Sequence, residues 1–281
     1  MSIKKYSASR YLFNIFFQTL KYFLKFTIRK AIGFSVFKRD TNHINKIYER
    51  IRSERLKKLE KMTFDQFVFG ESPLGWNLID NKLNYGSRRV PHERKLFILE
   101  DLIFRNDSSV IIELGAGDGR NLLWLANIFP NYEFIGLELS QASVALAKAA
   151  AEKYQLTNVT FYQVDLTKTE SYDYLLRSDT FVYSNHCLEE MPRIFKIPLE
   201  AIKNNKVKEI VLLEPAYMFS FSRFFLDIVK FLRIIPHDRL WGLISFCKKN
   251  MNTAYNIEII DLGLAMNPVN PTTLIHFTKK G

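Results

Sequence analysis

The sequence predicts an α/β fold, a doubly wound sheet of seven strands preceded by an N-terminal helical extension. Three observations predict it. Residues 110–129 read as strand, glycine-rich turn and helix. From about residue 96 onward, short apolar β-branched runs alternate with helical stretches, the pattern of βαβ units. Residues 1–62 stand apart in composition: they hold 16 Lys+Arg against 4 Asp+Glu, whereas the remaining 219 residues hold 24 against 25. The formal net charge of +11 therefore sits in the extension, and the nearly neutral body argues against a body-wide nucleic-acid surface. At 281 residues, 47% hydrophobic and 25% charged, the chain is globular and long enough for one large domain plus an attachment. Two cysteines, Cys187 and Cys247, are too few for a disulfide scaffold and fit a reducing compartment. No CxxC or Cys/His cluster suggests a metal.

The extension, residues 1–62, has no acid before Asp40. Arg10, Asn14, Gln18, Lys21, Lys25 and Arg29 recur at spacings of 4, 4, 3, 4 and 4, which on a helix is one narrow polar stripe. Phe13, Phe16, Phe17, Leu20, Phe23 and Leu24 occupy the rest of the circumference. A greasy face with a cationic edge reads first as a helix lying on an anionic membrane surface through residues 9–38. A spanning helix wants about 20 apolar residues, and the longest uncharged run here is 11–20. A cleaved presequence and a helix docked on this domain or a second subunit stay open. Residues 44–61 read as a second, more polar helix with a solvated face of mixed charge.

Residues 63–95 form a connector rich in Gly, Pro and aromatics, followed by a helix over about 92–105. One reading is a flap that turns Tyr85, Arg88 and Arg89 toward an anionic group; the other is ordinary packing with surface arginines. The main domain then spans 96–281.

Its first strand, 110–114, runs into Gly115, Gly117 and Gly119, and helical spacing resumes over 121–129. Glycines there let the backbone turn sharply and approach a ligand without Cβ atoms. A dinucleotide fingerprint wants a small residue where Arg120 stands, and a phosphate loop wants a Lys-Ser/Thr pair that is missing. Glu113 ends the strand and Asp118 sits inside the turn, which suits a cationic ligand better than a pyrophosphate.

With its E-x-G-x-G-x-G run at 113–119, the sequence resembles the class I S-adenosylmethionine-dependent methyltransferases. The resemblance covers about 96–281 and implies a Rossmann-like sheet whose last strand is antiparallel. It implies S-adenosylmethionine as cofactor, held by Glu113, Gly115, Ala116, Gly117 and Asp118. A second strand, 132–137, ends in Glu138, which with Leu139 would take the ribose hydroxyls; a carboxylate has two acceptor oxygens for a diol. After a helix over 140–154 comes a third strand, 159–164, and then Asp165 and Leu166, which the resemblance places at the adenine. The fourth strand is 180–184, with Asn185 beside the cofactor, and the fifth is 209–213. Two more lie near 257–262 and 273–278.

Methyl transfer needs alignment of donor and acceptor, and a base where the acceptor is a hydroxyl. The reaction centre of such sheets lies beyond the carboxyl ends of the strands. The run at 186–192 is similar to an H-x-L-E-Q-x-P run of bacterial surface-sugar methyltransferases, with Glu190 replacing the amide. His186 is the first candidate for base or acceptor positioning, and Glu189 and Glu214 are candidates to orient it or the acceptor. Cys187 reads as a small filler. An insertion at about 216–250, with Phe219, Phe221, Phe224, Phe225, Phe231, Phe246 and Trp241, is either a cap over the acceptor or plain packing against the sheet. The expected activity is methyl transfer, most simply O-methylation, to a small-molecule, sugar or lipid-linked acceptor. The expected place is cytoplasmic, peripheral on the inner face of a membrane. An RNA acceptor gripped by the basic extension is the alternative, against which no D/N-P-P-Y/F motif follows the fourth strand. Oligomeric state is not legible.

Overall fold

The computed structural model describes residues 7–31, 41–70, 74–191, 195–216, 228–229, 232, 240, 242–268 and 270–281. Seven strands form the main sheet in the order β5-β4-β3-β6-β7-β9-β8. They are β3 (Val110–Leu114), β4 (Glu133–Glu138), β5 (Val159–Gln163), β6 (Thr180–Asn185), β7 (Glu209–Glu214), β8 (Tyr255–Leu264) and β9 (Thr272–Lys279). The first five pair in parallel. β9 runs antiparallel to both β7 and β8, so the last strand alone is reversed, as the resemblance implied.

Successive residues of a central strand point to opposite faces, and both faces are covered. Ile112 and Leu114 of β3 join one buried cluster with Ile210 and Leu212 of β7, and with Leu199 and Ile202 of α7 (Lys196–Asn204). Ile111 joins the opposite cluster with Phe134 and Phe181. That cluster includes residues of α4 (Arg89–Arg105), α5 (Arg120–Ile128) and α6 (Gln141–Lys153). Strand order reverses beside β3, where β4 lies on one side and β6 on the other. Helices on both faces leave the carboxyl ends of β3, β4 and β6 open at this switch point.

The connector is more ordered than its composition predicts. A capping box between Thr63 and Gln66 starts α3 (Phe64–Phe69). A two-stranded hairpin follows, β1 (Leu74–Ile79) with β2 (Lys82–Ser87). Its turn residues Asp80 and Asn81 have φ of 51° and 62°, the pairing that matches strand twist in a two-residue hairpin. Arg89 donates to Asp65 at 2.6 Å and lies over the Phe69 ring, while Tyr85 packs on Trp76. Arg89 and Tyr85 thus take the packing reading, and the hairpin clamps to the edge strand through the Leu78–Ala265 bridge.

In the extension, α1 (Ala8–Ala31) lays Tyr11 on Trp76 with ring centroids 5.1 Å apart and Leu12 against Leu78. Phe13, Phe17, Leu24 and Ile28 stay exposed. No helix among the described residues is long and apolar enough to cross a membrane. Helix α2 (Thr41–Leu56) packs along α6, so part of its expected solvated face is engaged. Within the insertion, α8 (Leu243–Phe246) and Phe246 join the core beneath the sheet, Phe246 meeting Phe195 edge to face at 5.7 Å. Phe219, Phe221, Phe224, Phe225, Phe231 and Trp241 lie outside the described residues.

Candidate active site

The turn between β3 and α5 builds the first wall of a cavity of about 300 Å³. Gly115 (φ 64°) is forced by close approach, because a Cβ there would meet Cys187 Sγ at 2.2 Å. Gly117 (φ 57°) faces open space, the condition for a ligand to reach the backbone. Glu113 is buried at the end of β3; its Oε1 accepts from Asn121 Nδ2 at 2.9 Å, and the buried Tyr183 hydroxyl of β6 lies beside its carboxyl. Burial, reinforced by the charges of Asp118 and Glu138, pushes its carboxyl up to about 8. Glu138, one strand over, accepts from Gly117 N at 3.0 Å and Ser140 N at 2.9 Å. Burial raises its carboxyl too, opposed by those two N–H groups. Asp165, past the end of β5, is held by Thr167 Oγ1 at 2.7 Å. Ala116, Leu139, Leu166 and Asn185 complete this wall. The residues expected at a cofactor thus converge, drawn from four successive strand ends.

Asp118 lines the cavity but differs from its expected role. Its carboxylate is engaged by Arg52 at 2.7 Å, by Arg120 at 2.8 Å and by Arg55. Burial works against its charge, yet the guanidiniums of Arg120, Arg52 and Arg55 hold it well below the usual carboxylate range. Its charge is therefore spent on the protein and is not offered to a cationic ligand. Helix α2 also supplies Tyr48 and Arg52 to the same cavity, which no motif in residues 44–61 signals. Between them Glu49 accepts from Ser140 Oγ at 2.8 Å and from Ala142 N at 3.1 Å, placing a carboxylate at the N terminus of α6.

Beyond β6 the chain turns through His186, which has φ of 58°. His186 Nδ1 donates to Glu189 Oε1 at 2.9 Å, and its Nε2 accepts from Thr272 Oγ1 at 2.9 Å. The carboxylate's inability to donate assigns that tautomer. Asn270 Nδ2 also donates to Glu189. Glu214 lies fully buried under the turn, where it accepts from Ser184 Oγ at 2.8 Å and from the N–H groups of Cys187 and Leu188, both at 3.0 Å. Burial pushes it up to about 8. So placed, Glu214 fixes the loop that carries His186 and is not among the residues lining either cavity.

A second cavity of about 320 Å³ adjoins the first across Arg120, Asn121, Asn185 and His186. Its other walls include His92 and Lys95 of α4, residues passed over in the sequence. His92 Nε2 donates to Asn121 Oδ1 at 2.9 Å, and burial, with the nearby Lys95 charge, pushes the imidazole down to about 4. The ring is neutral, and a buried relay of His92, Asn121 and Glu113 joins the two cavities.

Residues 105–217 match the family described as Methyltransferase domain. Residues 105–217 are a methyltransferase domain of the class I, S-adenosylmethionine-dependent family. Two curated relatives share part of it. A tRNA (guanine-N(7)-)-methyltransferase of Helicobacter pylori is 28% identical over 144 residues, 48% of this chain and 35% of that protein. A malonyl-[acyl-carrier protein] O-methyltransferase of Bacillus anthracis is 29% identical over 93 residues, 32% of this chain and 34% of that protein. The chain thus spans about a third of the length of these relatives. The magnesium protoporphyrin IX methyltransferase of Synechocystis with bound S-adenosylhomocysteine has the same fold, with a TM-score of 0.53 at 13% identity, over 86% of this chain and all of that one.

S-adenosylmethionine is the cofactor of this methyltransferase domain, and the cavity fits it. Glu113 brings a carboxyl group to the cavity wall for an ammonium. Glu138 bonds once through each oxygen, leaving each a lone pair for a diol. The space above Gly117 is what a Cβ would fill.

Proposed function

We propose that this protein transfers a methyl group from S-adenosylmethionine, in line, to a small-molecule, sugar or lipid-linked acceptor, most simply at oxygen, at a membrane surface on the cytoplasmic side. One observation carries the reading. The carboxylates Glu113, Glu138 and Asp165 line one cavity, and that cavity meets a second one of small-molecule size at Asn185 and His186.

The cofactor, when bound, supplies an already activated methyl group, so the protein's task is alignment. Glu113 and the Gly115–Ala116–Gly117 turn would hold its amino-acid end, Glu138 and Leu139 the ribose, Asp165 and Leu166 the adenine. Tyr48 and Arg52 close the cavity from the α2 side. His186 lies at both cavities, held by Glu189 at Nδ1; its Nε2 would receive a proton or position an acceptor hydroxyl by exchanging the Thr272 contact for the acceptor. Glu214 acts through the loop as a positioning residue. The exposed Phe13, Phe17, Leu24 and Ile28 of α1, flanked by Lys21 and Lys25, support the membrane half.

Similarity to a tRNA methyltransferase favours a second reading, an RNA acceptor held by the basic extension. Against it, Arg52 and Arg55 are committed to Asp118. Calorimetry with S-adenosylhomocysteine tests the main reading; a folded protein that does not bind it overturns the proposal. A salt-dependent gel shift with RNA, on full-length protein, would favour the second.

A further inference from the structure

The two adjoining cavities differ in charge. Acidic side chains line the cofactor cavity: Glu138, Asp165 and Glu190, with Glu113, which holds a proton until a cation meets it, and the paired Asp118. The second cavity has no Asp or Glu among its described lining residues, and its cations are Lys95 and Arg120. Arg120 is committed to Asp118 through Nε at 3.0 Å and Nη2 at 2.8 Å. Lys95 is not committed in that way. It sits mid-helix on α4 with 5% of its surface exposed, and its Nζ makes one hydrogen bond, to Asn185 Oδ1 at 3.1 Å. It has no ion pair among the described residues. An ammonium has three donors, and a buried one with two unused is costly unless something else occupies them.

We propose that the second cavity is the acceptor subsite and that Lys95 selects an acceptor carrying a carboxylate or phosphate group beside the atom to be methylated. The inference rests on the methyltransferase reading above and adds the chemical class of its acceptor. An acceptor anion would fill the two donors left open at Nζ and pair the charge. Asn185 then has a definite job: its Oδ1 holds the ammonium at the boundary between the cavities, so the anion is anchored a fixed distance from the cofactor. Neutral His92, one turn before Lys95 on α4, presents no competing cation. The partition of charge also keeps the ligands apart, since a cationic cofactor is repelled from the lysine side and an anionic acceptor from the carboxylate side.

The test is NMR of the Lys95 ε-methylene group in full-length protein, with and without saturating S-adenosylhomocysteine, its signal identified by its loss in Lys95→Arg. Burial, opposed by the Glu214 and Glu189 charges, starts the amine at about 8. Acetate or inorganic phosphate should raise its titration midpoint by roughly 1 unit or more, because a paired anion favours the ammonium. Neutral acetamide should not. The anion with the larger effect tells carboxylate from phosphate. No shift with either anion, or an equal shift with acetamide, overturns the proposal. In calorimetry Lys95→Met should lose the effective anion by at least about 10-fold, the scale of one charge-assisted contact, while S-adenosylhomocysteine binds as before. Anion binding unchanged in that variant also overturns it. Failure of wild-type protein to bind S-adenosylhomocysteine defeats the methyltransferase reading instead, and the anion titration without it is read separately.

Discussion

Arg52 Nη1 donates to Asp118 Oδ2 at 2.7 Å, tying the N-terminal extension to the glycine-rich turn of the cofactor cavity. Arg55, one turn further along α2, reaches the same oxygen and the Phe67 carbonyl. The extension is thereby part of the catalytic body at one end, through α2, while α1 leaves an apolar face uncovered at the other.

Asp118→Asn should destabilise the fold strongly. Its carboxylate has 3% side-chain exposure and compensates three guanidiniums whose exposures are 17%, 12% and 28%. Removing the single anion of a buried cluster leaves like charges together, a cost of about 3–5 kcal/mol. Urea unfolding followed by circular dichroism measures it, and a loss under about 1 kcal/mol would mean the cluster contributes as a surface pair does.

Glu49→Ala should loosen the first turn of α6. The carboxylate accepts from Ser140 Oγ and Ala142 N, and Ser140 Oγ in turn accepts from Ser143 N at 3.1 Å. Losing a charge-assisted contact at a helix N terminus costs about 1–2 kcal/mol. Hydrogen exchange at Ala142 and Ser143 should quicken, and α2 should become more accessible to trypsin. Unchanged protection of that turn would contradict the docking of α2.

The five parallel strands were legible because each is an apolar run with an acid or asparagine within two residues of its end, and in β3, β6 and β7 burial on both faces leaves no period to confuse. The α4 pair was legible in principle. His92, Lys95, Leu96, Leu99 and Ile103 share the buried face of one helix, and a histidine and lysine among leucines is a signal that a motif search passes over. The hairpin was hidden because its Asp80–Asn81 turn lacks glycine. Docking of α2 was not legible: its charges look solvated until α6 and Asp118, far along the chain, are folded beside them. For the same reason Asp118 read as a free anion.

Glu138→Ala should abolish cofactor binding at ordinary concentrations. The substitution removes the acceptors for the ribose and also frees Gly117 N and Ser140 N, which shape the turn. Hydrogen bonds to a charged group contribute about 1.5–3 kcal/mol, so calorimetry should show S-adenosylhomocysteine weakened by roughly 100-fold. An effect under about threefold would remove Glu138 from the site.

Cofactor affinity should rise with pH from about 6.5 to 8 by linkage. Glu113 is raised from an ordinary 4.5 to about 8, so in this window the folded protein holds a proton that the unfolded chain has released. Stability therefore falls as pH rises through it, and Glu214 adds the same sign. His92, lowered from 6.5 to about 4, contributes its slope below the window, and Lys95, lowered from 10.5 to about 8, contributes above it. A cationic ligand favours the Glu113 carboxylate, so binding releases the proton and tightens with pH. Calorimetry at pH 7 in two buffers of different ionisation enthalpy should report that release. Glu113→Gln should abolish it and flatten the affinity profile; proton release unchanged in this variant would assign it elsewhere.

Replacing Phe13, Phe17, Leu24 and Ile28 together by Ser should release the protein from anionic vesicles while leaving the fold intact. All four are exposed, at 60%, 50%, 52% and 60%, so their loss opens no core. Tyr11, stacked on Trp76, and Leu12, packed on Leu78, remain to keep α1 docked. Insertion of such side chains gives roughly 1.5–3 kcal/mol each when fully buried, and Lys21 and Lys25 add attraction that salt screens. Flotation with vesicles rich in anionic lipid should therefore retain wild-type protein at low salt, retain less at high salt, and lose the quadruple variant at both. Equal flotation of variant and wild type would show that the exposed face of α1 does not meet the membrane, and would turn the search toward a protein partner for it.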